Sequence, residues 1–191
     1  MVFGLLSFSM EETQEIIVFQ LMEVLAIFAA YGSLKKICKL PLPKLGLSIK
    51  GRLTDMVGGF LAAVLLYGVG FGVSYIVGWV QVEAVHWLWL SLLTSFGFFF
   101  LVAVFEEVFL RGIVLGHLLD GGMPKYAALL LSSMLFSALH LFNPDFSWLP
   151  FLNLFLAGIL LGSSYIYTRN LWFPIFLLLV LELVARTGVG V

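Results

Sequence analysis

The sequence predicts an all-α fold: a polytopic integral membrane helix bundle of about six transmembrane helices. Three observations carry that prediction. Of 191 residues, 62% are apolar and 11% are charged. A water-soluble domain carries about 25% charged residues to solvate its surface, so most of this surface faces something other than water. The apolar residues gather into runs that approach the ~20 needed to cross a hydrocarbon core of about 30 Å. Turn signals such as Asp120-Gly121-Gly122-Met123-Pro124-Lys125 separate the runs.

The first predicted span covers residues 16–34 and contains Glu23. A polar segment follows, with Lys35, Lys36, Lys39, Lys44, Lys50 and Arg52, six of the ten basic residues. Cytoplasmic loops collect lysine and arginine, which places this loop in the cytoplasm and the N-terminus outside. Pro41 and Pro43 argue against a continuous helix there. Residues 1–15 hold acidic but no basic side chains, so they do not read as a secretory signal. The second span, 56–80, contains Gly58, Gly59, Gly68, Gly70 and Gly72, which suits close helix packing in lipid. Residues 81–86 form an external turn, with Trp79, Trp87 and Trp89 as interfacial anchors.

From 87 to 119 the chain stays apolar for about 50 Å of helix, too long for one upright span. It is either a long tilted helix or a short interfacial piece followed by a span. After the turn at 120–125 come spans at 126–142, 148–167 and 171–184, with Asn143-Pro144-Asp145 and Thr168-Arg169-Asn170 between them. Gly158 and Gly162 form a small-residue pair suited to close helix approach. The chain divides into N-terminal transmembrane helices with a basic loop (1–86) and a core region (87–191). A net charge of −1 gives no electrostatic ground for a nucleic-acid partner, and the lone Cys38 excludes an internal disulfide or a cysteine-rich metal site.

Ionisable side chains inside a membrane are costly and are functional candidates by default. Glu107 and Arg111 are four apart on one helix face and form an ion pair. Glu106 is turned about 100° from Glu107. The pattern divides labour: Glu107 and Arg111 neutralise each other, and Glu106 is left to act as a general base on water. His140 follows on the next span. Counted from the turn near Gly122, Glu106 and His140 are about 24 and 27 Å away at 1.5 Å per residue, nearly the same level. Phe136 packs on the face of His140 and helps fix its ring. Asn153, early in the following span, reaches a similar depth and is a candidate for substrate binding or support. A structural reading stands beside each of these: a buried ion pair for Glu107 and Arg111, and an interhelical hydrogen bond for His140.

Phe105-Glu106-Glu107-Val108-Phe109-Leu110-Arg111-Gly112 resembles the Glu-Glu-x-x-x-Arg motif of the CAAX-protease and bacteriocin-processing family, also called the Abi family. Phe136-Ser137-Ala138-Leu139-His140 resembles its Phe-x-x-x-His motif. Asn143-Pro144, Asn153, Ala157-Gly158, Gly162 and Leu171-Trp172-Phe173-Pro174-Ile175 continue the pattern. The resemblance implies an intramembrane (metallo)endopeptidase acting on a membrane-associated peptide or protein, in the cytoplasmic membrane of a bacterium. It implies catalytic roles for Glu106, Glu107, Arg111 and His140. Glu106 would activate the water, and His140 would be either a ligand to a divalent metal such as zinc or an oxyanion donor.

The third motif, His-x-x-x-Asn, departs from this pattern. In register its histidine falls on Leu178 and its asparagine on Glu182. Read one nucleotide later, codons permitted for residues 181–190 can restore the asparagine and a family-like continuation, which suggests a frameshifted tail. The histidine is not restored, because the second base of every leucine codon is T. Two further readings follow: a catalytically impaired immunity or scaffold protein on the same fold, and a small transporter. Against the transporter, the sequence shows no repeat and no paired broken helices.

Overall fold

A computed structural model describes residues 10–37, 39, 41–81, 89–141 and 147–187. The described residues form helices and connecting segments, without strands: α1 (Met10–Lys36), α2 (Leu53–Val77), α3 (Trp89–Glu107), a π-helical segment (Val108–Leu115), α4 (Gly116–Asp120), α5 (Lys125–Leu139), α6 (Trp148–Thr168) and α7 (Trp172–Thr187). Because α3, the π segment and α4 run on without a break, the described residues make six helices, matching the predicted class. Residues 14–36, 53–77 and 148–168 are each long and apolar enough to cross a membrane, and α5 and α7 are shorter apolar helices. The region from 89 to 120 resolves the alternative left open above, since it is one helix. The predicted turn at 82–86 with Trp87, the segment Phe142-Asn143-Pro144-Asp145, Cys38 and residues 188–191 lie outside the described residues.

Helix α7 is the buried centre of the fold. Leu171, Ile175, Leu177 and Leu179 have no solvent exposure and pack with Ala103, Val108 and Leu161. The packing of α2 on α7 depends on Gly59. A Cβ there would stand 2.2 Å from the Phe173 carbonyl oxygen and 3.1 Å from the Leu177 nitrogen, so the two backbones touch. Gly58 lies beside the Phe173 ring. Gly68, Gly70 and Gly72 meet nothing within 4 Å, so the expectation that all five α2 glycines serve close packing is corrected to the first two. α7 does reach past the middle of α2, where the Tyr67 hydroxyl donates to Leu181 O at 2.8 Å, but Gly68, Gly70 and Gly72 do not lie on the contacting face. Gly158 and Gly162 do permit close approach, with a Cβ falling 2.9 Å from Ser133 Cα and 2.6 Å from Leu129 Cδ1 respectively.

The Gly59→Ala variant is expected to push α2 off α7 and cost about 1–3 kcal/mol, the usual range for overpacking. Gly68→Ala should be silent. Thermal unfolding of both variants in detergent checks the contrast.

The basic segment between α1 and α2 differs from a solvated loop. Residues 41–49 form a non-helical strap packed against the bundle. The Tyr31 hydroxyl donates to the Pro43 carbonyl, and Leu171 N–H donates to Gly46 O at 2.9 Å. Asn170 Nδ2 donates to Ser48 O (3.0 Å) and Trp172 Nε1 to Leu47 O (3.3 Å). Gly46 sits at φ +77 with its α-carbon against Arg169 O, where a Cβ would stand 2.6 Å away. Only glycine meets both demands. Strap side chains also reach the π segment and the start of α4: a Cβ at Gly112 would lie 3.3 Å from Leu45 Cδ2, and one at Gly116 would lie 3.0 Å from Pro43 Cβ.

Candidate active site

The site is assembled at the junction of α3 with the π segment, and it draws on α5 and α6. Glu107 ends α3 and is completely buried. Arg111, one turn on, is 1% exposed, and its Nη1 donates to Glu107 Oε1 at 2.7 Å. The guanidinium makes two further contacts. Its Nη2 donates to the Gly158 carbonyl at 3.3 Å, and its carbon lies 4.7 Å from the centre of the Phe136 ring, a cation–π contact. Arg111 thereby joins α3, α5 and α6. Glu107 Oε2 and Arg111 Nε have no hydrogen-bond partner among the described residues.

The π segment starts immediately after the glutamate pair, and Gly116 N–H bonds back five residues to Arg111 O. Such wide turns recur at functional sites. Leu45 lies beside Gly112 of the segment, and Pro43 and the Tyr165 hydroxyl lie beside Gly116, the residue that follows it.

His140 caps the C-terminus of α5. Its ring folds back edge-on against Phe136, with centroids 5.2 Å apart and planes at 72°, and its Nδ1 lies 2.9 Å from the Phe136 carbonyl oxygen. A carbonyl only accepts, so Nδ1 carries the proton and Nε2 of the neutral ring carries the lone pair; this tautomer is assigned from the hydrogen bond. Nε2 faces Glu106, 4.0 Å from Oε1, with the two side chains 22% and 19% exposed. That separation is too long for a direct hydrogen bond and short enough for one water to touch both groups.

The structure therefore brings together Glu106, Glu107, Arg111 and His140, with Phe136 between the arginine and the histidine. Asn153 stands apart. It is exposed on α6, about 140° around the helix from the Gly158 that faces α5. Leu178 is 3% exposed on α7. Leu171, seven residues before it, lies against Gly112, and Glu106 is six residues from Gly112 on the antiparallel helix. Further along the same pair of antiparallel helices, the Phe100 and Phe176 rings meet with centroids 6.4 Å apart.

Catalytic zinc sites use three protein ligands, and no group of three histidine, cysteine, aspartate or glutamate residues able to hold a metal occurs among the described residues. Glu106 and His140 are two donors, and Leu178 offers none. The described side chains do not complete such a site.

Sequence reasoning missed the Gly158 carbonyl and the Arg111–Phe136 contact. The Gly158/Gly162 pair was the available signal for the first, since a glycine face leaves backbone oxygens open to a neighbouring helix.

Fold and site together define a helical integral membrane protein with a carboxylate–histidine site within its bundle. The sequence profile of the type II CAAX prenyl endopeptidase Rce1-like family matches residues 87–184, and the chain belongs to that family. No curated protein and no solved structure matches it. Family membership carries a CAAX-protease-like intramembrane function at the level of the family.

Proposed function

We propose that this chain is an intramembrane endopeptidase that hydrolyses a peptide bond in a membrane-associated peptide or protein of a bacterial cytoplasmic membrane. The observation that carries the reading is the 4.0 Å opposition of Glu106 Oε1 and His140 Nε2 beside a buried Glu107–Arg111 pair. Glu106 takes a proton from a water held between the two side chains. The water oxygen attacks the peptide carbonyl carbon, the C–N bond breaks, and the proton on Glu106 passes to the leaving amine. His140, locked by Phe136, keeps the water in place through Nε2. Arg111 and Glu107 hold the helices on either side of it.

The experiment is cleavage of a library of membrane-anchored peptides by the purified protein in liposomes. Wild type should cleave, and His140→Ala and Glu106→Ala should both fail. Cleavage that persists in both variants would remove the two residues from the chemistry.

One observation favours a second reading, a non-catalytic immunity or scaffold protein. Leu178 is a buried aliphatic side chain where the family pattern has a histidine. On that reading wild type cleaves nothing in the library, and its cellular phenotype survives both substitutions. The Leu178→His variant supplies a third donor at the position where the family pattern has its histidine. It is expected to gain a zinc-dependent rise in melting temperature that wild type lacks, by binding linkage to the folded state; equal zinc responses in the two proteins would count against that placement.

A further inference from the structure

Most of the positive charge lies at one end of the bundle, on or beside the strap. Its two arginines are already satisfied: Arg52 pairs with Asp55 and Arg169 with Asp120, both at 2.9 Å. Five exposed lysines remain, Lys35, Lys36, Lys39, Lys44 and Lys50, and none is in an ion pair among the described residues. They are not carried on a free loop, because the Pro43, Lys44, Gly46, Leu47 and Ser48 carbonyls accept hydrogen bonds from α1, α6, the α6–α7 turn and the start of α7. The backbone bearing the charges is thus held in one arrangement.

Apolar side chains alternate with these lysines. Ile37, Ile49 and Leu53 are 78%, 64% and 71% exposed. Aromatic rings flank the same end: Lys125 Nζ lies 5.1 Å from the centres of both the Tyr126 and Tyr167 rings. A ligand that satisfies such a surface needs a negative head and an apolar body. A soluble polyanion would leave the isoleucines and leucine in water.

We propose that the strap end binds anionic phospholipids of the adjoining leaflet, with the five lysines on the phosphate-bearing headgroups and Ile37, Ile49 and Leu53 against the upper acyl chains. Clusters of lysine beside membrane spans attract anionic lipid in this way, and the attraction weakens with salt. The proposal uses no residue of the candidate active site and stands independently of the peptidase reading.

The test is electron spin resonance of the full chain reconstituted in phosphatidylcholine bilayers, comparing spin-labelled phosphatidylglycerol with spin-labelled phosphatidylcholine. The expected result is a preference for phosphatidylglycerol of about fivefold, roughly the factor that one lysine near an anionic surface supplies, reduced by half-molar salt. Replacing all five lysines by glutamine should abolish the preference, and replacing them by arginine should retain it. The arginine variant keeps the experiment decisive should the glutamine variant fold poorly. Equal association of the two lipids with wild type, or a preference lost in the arginine variant, overturns the proposal. Displacement of the labelled lipid by millimolar glycerol phosphate would also overturn it, by making the surface a site for free phosphate.

Discussion

Replacing Arg111 with methionine is expected to cost about 3–5 kcal/mol of stability, the range for removing one partner of a buried ion pair. The size follows from where the partner is left. Glu107 is completely buried, and Arg111 Nη1 is the donor to its Oε1. Without the arginine, that carboxylate faces the bundle interior with neither counter-charge nor water. The Gly158 carbonyl and the face of Phe136 lose their contacts in the same change. The double variant Glu107→Leu/Arg111→Met removes both charges and should recover much of the loss, because a buried pair replaced by apolar groups is often neutral. Unfolding of the two single variants and the double variant in mixed micelles gives the coupling energy directly. A loss below about 1 kcal/mol in Arg111→Met would mean the pair contributes no more than a surface ion pair does.

That pair was the most legible part of the site, because contact at four-residue spacing is intrinsic to one helix and needs no knowledge of its neighbours. The meeting of Glu106 with His140 was legible for a related reason. Fixed helical rise, counted from the Gly122 turn, puts both at one level, and the structure places their side chains 4.0 Å apart. Depth does not give direction, however. The same counting that put Asn153 near this level does not give its facing, which depends on how α6 is rotated against α5 through the Gly158 and Gly162 contacts; Asn153 is exposed on α6.

The lysines and prolines of the strap mark it as a polar, non-helical segment, but not as one bonded to the bundle. Its hydrogen-bonding partners Asn170 and Trp172 lie 122 and 125 positions away, beyond any local pattern. The π segment escaped for the same reason. The packing of Leu45 beside Gly112 and of Pro43 beside Gly116 is a tertiary contact, and the apolar run of 87–119 carries no local sign of it.

The Glu106→Gln variant is expected to lower cleavage by two to four orders of magnitude, the range associated with losing a positioned general base. Glutamine has nearly the shape of glutamate, and the side chain is 19% exposed at the edge of the site, so packing should persist and the melting temperature should move little. That separates Glu106 from Glu107, where the same substitution acts on a fully buried ion pair and should lower stability together with activity. The Glu106→Asp variant keeps a carboxylate but withdraws it by about one C–C bond. With His140 held at Phe136 O, the Glu106–His140 gap then widens beyond 4.0 Å, so a partial loss between wild type and Glu106→Gln is expected. A base acting at a fixed distance predicts that ranking of rates, wild type, then aspartate, then glutamine. A purely packing role predicts the reverse, since glutamine preserves the shape and aspartate does not. Single-turnover cleavage of one identified peptide by the three proteins therefore decides between a carboxylate that does chemistry and one that only fills the bundle.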